Sequence, residues 1–379
     1  DITNPAGGSL ERDLMRRDLT MNALAVNLKT GELTDLCGGM SDIRNRIINH
    51  VNEQNFKDDP LRLLRVYRFQ ALTGFDISAD TVAAVCGYSG LIAEPAAERV
   101  NYELLKLFSG EFAHTALINM DKTWLLEKIF PFVKELKRIP PNSHHHLDLF
   151  HHSVEVVREI QVLYESAAEE VKEHLDRVDF GGFSRLAHLK LAGFLHDIGK
   201  FSTWTTENGR HRFIKHDAVG AKLAVKLLKQ LKFSNKQTAY AANLVKNHLY
   251  PAQLMTSGSD VRLTGKMMRF VRKMGDNAID VTVLSQADRL SARGELVTQE
   301  MVEQNISSLN ELLAFCVDSQ KEAEPLPKLI SGNEVMDILG IKPSPELGKV
   351  MAAIREAQLS GEINTAEDAI KFLKTVHVK

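Results

Sequence analysis

Cysteine is scarce. Cys37, Cys86 and Cys316 are all there are in 379 residues. They are too scattered to frame a disulfide fold, and they suit a reducing compartment. Charge of one sign is also lacking. The 47 basic and 49 acidic side chains leave a net charge of -2, so any basic surface has to be local and offset elsewhere. No apolar run is long enough to cross a bilayer, and we see no secretory leader. A stapled secreted scaffold and a helical membrane protein are therefore excluded, and a cytoplasmic protein is expected. What remains, 44% hydrophobic and 25% charged, is ordinary globular composition. The length allows roughly two to four domains. The first residue is Asp1, not Met, so we expect a piece of something longer.

The most telling stretch is Asp58 to Phe69, DDPLRLLRVYRF. Pro60 suits a first helical turn, where a missing N–H costs nothing, and Asp58 and Asp59 are placed to cap the free amides. Arg62, Arg65 and Arg68 then recur every third residue, within an arc of roughly 120° on one helix face. Leu63, Leu64, Val66, Tyr67 and Phe69 fall mostly on the other side, as core. Three guanidiniums on one face repel unless something anionic lies opposite. A triphosphate or RNA backbone fits, since each guanidinium is a planar fork of donors matched to phosphate oxygens. Carboxylate partners on a solvated face would serve as well.

Before this stretch, SLERDLMRRDLTMNALA reads as short helical pieces from Ser9 to Ala25. Its charged cluster is either a web of surface ion pairs or a site where Arg17 faces a phosphate and Asp18 holds the local geometry. Ala25 to Leu36 alternates around Lys29-Thr30-Gly31-Glu32, a hairpin signal. A helix is expected from Ser41, its cap, to about His50. This first part should carry the only clear strands. Beyond Arg68 everything reads as helix, with clean periodicity in PAAERVNYELLKLF and short connections that imply an antiparallel array.

Histidines gather next. His144, His145, His146, His151 and His152 open the region, and His196-Asp197 follows in LAGFLHDIGK. The apolar run sets this pair at the inner end of a helix, where Gly199 lets the chain turn close by. Imidazole and carboxylate together suit a hard or borderline divalent ion, with His152 and Asp288 on amphipathic segments as partners. His216 and His248 lie in the same region, and His144 to His146 and His151 read as surface residues or as supports behind the ligands. A polar helix near Thr298 to Ser319, a linker from Glu322 to Leu329 and three short helices complete the chain. The last helix starts at a capping pair, Thr365 and Asp368. Lys342, Lys349 and Arg355 could meet phosphates but read as ordinary surface charge.

RRDLTMNALA, DDPLRLLRVYRF and AERVNYEL resemble successive motifs of the bacterial class II tRNA nucleotidyltransferases, the CCA-adding enzymes with the related poly(A) polymerases and CC- and A-adding forms. LAGFLHDIGK resembles the signature of an HD-type metal phosphohydrolase, and the tail from Leu329 to Ile363 is similar to the C-terminal segment of such enzymes. The resemblance implies a mainly α fold: a residual α/β nucleotidyltransferase head (1–40), a helical nucleotide-recognition neck (41–140), an all-α HD domain (141–297) and a tRNA-binding helical tail (298–379). Arg17 would bind the incoming nucleotide, Asp59 and Arg62 would read the Watson–Crick edge of its base, and Arg65 and Arg68 would hold the triphosphate. Asp58 stands where the family motif has Glu. In the HD domain His152, His196, Asp197 and Asp288 match the usual ligand set, with His216 and His248 extending it or contacting phosphate.

The resemblance also implies a Gly-rich turn and an Asp-x-Asp strand that hold Mg2+ for nucleotidyl transfer. Neither occurs in the sequence, so we expect this polypeptide to bind nucleotide weakly and not to add it. ATP, CTP and tRNA are the implied partners, and Mg, Mn, Ni or Co would suit the HD site. Three readings remain open: a CCA-adding or related enzyme, including poly(A) polymerase; a metal-dependent phosphatase or phosphodiesterase working through the HD domain alone, on phosphomonoesters or 2′,3′-cyclic phosphates of RNA ends; and a non-enzymatic RNA-binding module. Base choice and oligomeric state are not legible.

Overall fold

The computed structural model describes residues 8–141, 146–207, 210–256, 263–321, 329–359, 363 and 365–376. His144, His145, most of the expected linker and Gly361 lie outside them, as do the side chains of Lys349 and Arg355. The fold is mainly helical and divides into two compact units. One comprises residues 1–249 and 280–306, the other residues 250–279 and 307–379.

The first unit opens with α1 (Leu10–Met15), where the Ser9 hydroxyl accepts from the Arg12 amide. The expected hairpin follows as β1 (Leu24–Val26) and β2 (Leu33–Asp35), paired antiparallel. The next helix departs from expectation. It is α2 (Gly39–Asn45), and Ser41 does not cap it. The Asp35 carboxylate does so instead, accepting from the amides of Gly39 and Met40 at 2.9 Å each. Arg46 then turns into the left-handed region, and the chain continues as β3 (Ile47–Ile48), parallel to β4 (Asp76–Ile77). Strands are thus not confined to the first part of the chain. The partner of β3 lies beyond a whole helix, so no local period could reveal it.

Between these strands come α3 (Gln54–Asp58) and α4 (Leu61–Thr73). Leu63, Leu64, Val66 and Tyr67 of α4 are fully buried. After α5 (Ala79–Tyr88), whose cap is Ser78, α6 (Ala97–Ser109) and α7 (Ala113–Lys122) pack on α4. The Tyr67 hydroxyl is buried 2.7 Å from that of Thr123. Two short helices, α8 (Leu125–Ile129) and α9 (Val133–Leu136), close this array.

The histidine-rich region is a bundle of α10 (Leu149–Ser166), α11 (Glu169–Asp176), α12 (Arg185–Leu195), α13 (Lys200–Thr203), α14 (His216–Gln230), α15 (Asn235–Asn247) and, later in the chain, α18 (Ala278–Ser291). Side-chain caps fix three starts: Asp148 for α10, Ser184 for α12 and Ser234, in a reciprocal box with Gln237, for α15. Every residue of α12 is buried, so the helix is a central rod whose C-terminal end delivers His196 and Asp197. A hairpin, β5 (Trp204–Glu207) and β6 (Arg210–Phe213), joins α13 to α14 and is a second departure from an all-helical reading. Gly199 has helical angles, φ -73 and ψ -19, so a sharp turn is not its function. A Cβ there would lie 2.0 Å from the His216 carbonyl oxygen, so glycine lets α13 close onto α14.

The second unit contains α16 (Tyr250–Thr256), α17 (Leu263–Met274), most of α19 (Gln299–Lys321), and α20 (Gly332–Leu339), α21 (Pro345–Leu359) and α22 (Ala366–Val376). Ile330, Val335, Ile354, Ala357, Ile363, Ala369 and Leu373 form its small core. Thr365 and Asp368 cap α22 reciprocally, as expected.

Candidate functional site

Three sequence-distant segments line one cleft of about 940 Å³: the end of α1 and the loop after it, the start of α4, and the first turns of α6. Asp59, Arg62 and Arg65 come from the α4 region, Arg17 from the loop, and Arg99, Tyr102 and Glu103 from α6. Arg17, Arg62, Arg65 and Arg99 already have internal partners. Arg17 meets Asp13 at 2.7 Å, and Arg65 donates through Nε to Asp18 at 2.5 Å. Arg99 meets Asp59 at 2.9 Å, and the Arg62 guanidinium donates to the Asn55 carbonyl at 3.1 Å. Asn55 also donates to the carbonyls of Met15 and Arg17, so one buried amide ties the α1 loop to the base of α4.

Asp18 organises this floor. It is buried and accepts from the Leu19 amide, Asn22 and Arg65. Burial pushes its pKa up, but the Arg65 charge and these hydrogen bonds outweigh burial and hold the carboxyl below its ordinary value. Lining cations and carboxylates balance: Arg16, Arg17, Arg62, Arg65 and Arg99 against Asp13, Asp18, Asp59, Glu98 and Glu103. An anionic ligand must therefore compete for guanidiniums that are already oriented.

Arg68 departs from the expected clamp. It is 6% exposed, and its guanidinium donates to both oxygens of buried Glu103, at 2.9 and 3.2 Å. The three-residue spacing advances about 300° per step, so the two steps from Arg62 to Arg68 drift about 120° across the helix and carry the last arginine into the interface with α6. Phe69 shifts the other way. It lines the cleft instead of the core, with the Arg68 guanidinium 4.1 Å from its ring centre.

The second centre lies in the helical bundle. His152 from α10, His196 and Asp197 after α12, His216 at the start of α14, His248 after α15 and Asp288 from α18 converge. His152 Nε2 lies 3.1 Å from Asp288 Oδ1 and 3.6 Å from Asp197 Oδ2. His196 Nε2 lies 3.1 Å from Asp197 Oδ2 and 3.6 Å from Asp288 Oδ1. His216 Nε2 lies 3.3 Å from Asp197 Oδ1 and 3.4 Å from His248 Nε2. Two groups of ligand atoms result, His152 with His196 and Asp288, and Asp197 with His216 and His248.

The imidazoles are set by one device. His196, His216 and His248 each place Nδ1 against the carbonyl three residues back, Gly193, Phe213 and Val245, at 2.7 to 2.8 Å. A carbonyl only accepts, so Nδ1 carries the proton and Nε2 presents a lone pair to the centre. His196 Nε2 and both Asp197 oxygens are buried without a hydrogen bond of good geometry, as expected of atoms aimed at a shared ion. Burial opposes charge on His196, but Asp197 and Asp288 raise its pKa to about 10, whereas burial and the His196 charge lower His248 to about 4. A dication facing the same carboxylates would take the place of the His196 proton. The donor set fits a divalent metal.

Residues 2–49 match the family model for the poly(A) polymerase head domain, residues 74–137 that for the probable RNA- and SrmB-binding site of polymerase A, and residues 149–293 the HD domain. The chain is 32% identical, over 98% of its length and 80% of the relative's, to the A-adding tRNA nucleotidyltransferase of Deinococcus radiodurans. It is also 32% identical, over 97% of its length and 78% of the relative's, to the CC-adding tRNA nucleotidyltransferase of Thermus thermophilus. The chain belongs to the tRNA nucleotidyltransferase family. Solved relatives share the fold. The CCA-adding enzyme of Bacillus stearothermophilus, in complex with CTP, superposes with a TM-score of 0.58 at 22% identity, covering 97% of this chain and 75% of that one. That of Thermotoga maritima, complexed with tRNA, gives 0.54 at 17% identity, covering 97% and 74%.

In this nucleotidyltransferase Arg17, Asp59, Arg62 and Arg65 line one cleft, and His152, His196, Asp197, His216, His248 and Asp288 share one centre. Sequence reasoning missed Arg99, Tyr102 and Lys200. Arg99 and Tyr102 sit on the polar face of α6, where one charge looks like another. Lys200 follows Asp197 by three residues and reaches Asp197 Oδ2 at 2.6 Å. The HDIGK string contained that signal, since i,i+3 side chains meet on a helical turn. His151, expected at the surface, is exposed and meets Asp148 at 2.6 Å.

Proposed function

We propose that the protein selects a nucleotide for the tRNA 3′ end in the α1–α4–α6 cleft and that its HD centre hydrolyses phosphate esters. The observation that carries the first part is the convergence of Arg17 from one motif with Asp59, Arg62 and Arg65 from a second on one cleft. Asp59 supplies acceptors and Arg62 donors, so together they mimic the pairing edge of a base. Arg17 and Arg65 take the triphosphate, and Arg68 supports them from behind through Glu103. A bound nucleotide would draw Arg99 off Asp59 toward phosphate and free the carboxylate to read the base. CTP and ATP are the proposed substrates and Mg2+ the proposed ion for transfer, in the cytoplasm. Titration with ATP and CTP should show binding weakened about ten-fold in Asp59→Ala and Arg62→Ala. Unchanged affinity in both would refute the template. Incubation of a chain completed with the Gly-rich turn and Asp-x-Asp strand with tRNA lacking its CCA end, with CTP, ATP or both, separates A-, CC- and CCA-adding from poly(A) activity.

For the HD centre, the carrying observation is the set of three imidazoles held with Nε2 inward. His152, His196, Asp197 and Asp288 would hold the metal, with His216 and His248 holding a second ion or a phosphate. A divalent ion there, Mg, Mn, Ni or Co, supplies Lewis acidity toward phosphate and lowers the pKa of water. The protein orients the ester, and Lys200 at Asp197 adds positive charge beside it. Water adds to phosphorus, the P–O bond to the ribose oxygen breaks, and that oxygen ends with the proton water gives up. Loss of metal-dependent phosphatase activity in His196→Ala is expected, and undiminished activity would sink the assignment.

A further inference from the structure

The hairpin β5–β6 is inserted between the ligands His196-Asp197 and His216, and its last residue, Phe213, holds His216 Nδ1 through its carbonyl. Every residue of β5 is exposed, and a lone two-stranded ribbon is marginal by itself. Yet it displays Trp204, one of only two tryptophans in the chain, 38% exposed. Trp204 is directly opposite Phe213 in the register, so their side chains share one face of the ribbon. On that face the Phe213 ring lies 5.4 Å from Lys200 Nζ, and Lys200 meets Asp197 at 2.6 Å. Cross-strand neighbours are roughly 5 Å apart. An aromatic track therefore runs along one face of the ribbon from Lys200, first Phe213 and then Trp204.

The outer end of the track is rigid. The indole N–H of Trp204 donates to His211 Nδ1 at 2.8 Å, and the two rings meet edge to face at 5.3 Å. Because His211 Nδ1 accepts, the proton of the neutral ring sits on Nε2, a spare donor beside the indole face. We propose that Trp204 is the base platform of the HD centre: the phosphate of a nucleotide or RNA 3′ terminus occupies the metal site, and its base stacks on the exposed indole. Base–aromatic stacking tolerates any base, so this site recognises nucleotide chemistry and not sequence. The inference rests on the phosphohydrolase reading above and assigns the residue that would hold the base of its substrate.

The test compares adenosine 2′,3′-cyclic phosphate with glycerol 1,2-cyclic phosphate, the same ring without a base, using the whole protein with Mn2+. Trp204→Ala should raise KM for the adenosine compound about ten-fold, equivalent to roughly 1.4 kcal/mol, and leave kcat/KM for the glycerol compound unchanged. Trp204→Phe, which keeps a ring but loses the bond to His211, should retain most of the preference. Equal losses on both substrates, no loss on either, or a Phe variant as poor as Ala would overturn the proposal. A short oligoribonucleotide ending in the cyclic phosphate should show the same Trp204 dependence if an RNA end is the natural ligand, and a free nucleotide alone should show it otherwise. If the wild type cleaves nothing, the phosphohydrolase reading fails separately. Binding then decides the platform: in a Trp124→Phe background, adenosine 2′,3′-cyclic phosphate should quench the remaining Trp204 emission, and constant emission up to millimolar ligand refutes stacking.

Discussion

Arg68→Ala separates a buried strut from a phosphate clamp. Arg68 and Glu103 have side chains 8% and 5% exposed and share two hydrogen bonds. Truncating the arginine leaves Glu103 in the interface between α4 and α6, where its nearest remaining cation is Arg65 Nη1 at 3.9 Å. Stranding one member of a buried pair costs about 3–5 kcal/mol, and the partial relief from Arg65 points to the low end, about 3 kcal/mol. For a cooperative unit of this size that corresponds to roughly 6–12 °C in melting temperature. Thermal and urea melts of Arg68→Ala and of Arg68→Met with Glu103→Leu form the assay. The double variant should recover to within about 1 kcal/mol of the parent, because replacing a buried pair by apolar groups of similar volume is often neutral. At a temperature where both proteins are folded, ATP affinity of the single variant should stay within a few-fold of the parent. A variant of full stability with affinity lost as in Arg65→Ala would refute the strut and restore Arg68 as a ligand.

Gly199→Ala should damage the metal centre from a distance. Its Cβ would meet the His216 carbonyl at 2.0 Å and the Gly220 amide at 2.6 Å. Metal affinity should fall at least ten-fold while nucleotide binding persists, as read by Mn2+ titration. Lys190 is wholly buried in α12 and donates to the Gly110 carbonyl at 2.9 Å. Burial lowers its pKa from 10.5 to about 8. The native state then binds fewer protons than the unfolded state between those values, so a penalty of about 3 kcal/mol, complete below pH 8, is relieved as pH rises to 10.5. Urea melts across that window should show rising stability in this term, and Lys190→Met should remove the slope. Asp280 is buried between His174, Tyr240 and Arg185. Burial raises its pKa, but the hydrogen bond from His174 and the Arg185 charge outweigh it and lower the value to about 2. Its stabilisation is complete above the unfolded value of 3.8 and is lost as pH falls through 2, so Asp280→Asn should flatten that acid limb and cost about 3 kcal/mol at neutral pH.

Much of the architecture was legible because it is written locally. The 3.6-residue period and the cap at Thr365 are near-neighbour signals, and so are the hairpin at Lys29–Glu32 and the HDIGK string. Residue type also pointed to both centres, since clustered arginines call for an anion and His-Asp for a cation. Long-range partners were not legible. The parallel pairing of Ile47–Ile48 with Asp76–Ile77 spans α4, and the β5–β6 ribbon lies between two ligands where every expectation was helical.

What the amino-acid order determined alone was where most helices form and which chemical groups are available. Which of those groups face each other was decided only by packing. Three arginines at equal spacing look equivalent on paper, but α6 covers one of them with Glu103 and leaves the others at the cleft. Likewise the imidazoles of α10, α12, α14 and α15 become one centre only because a buried rod and a missing Cβ at Gly199 let their helices close. The groups that face a side chain, not its identity, separate a ligand from a strut, and those neighbours are set by the folded chain as a whole.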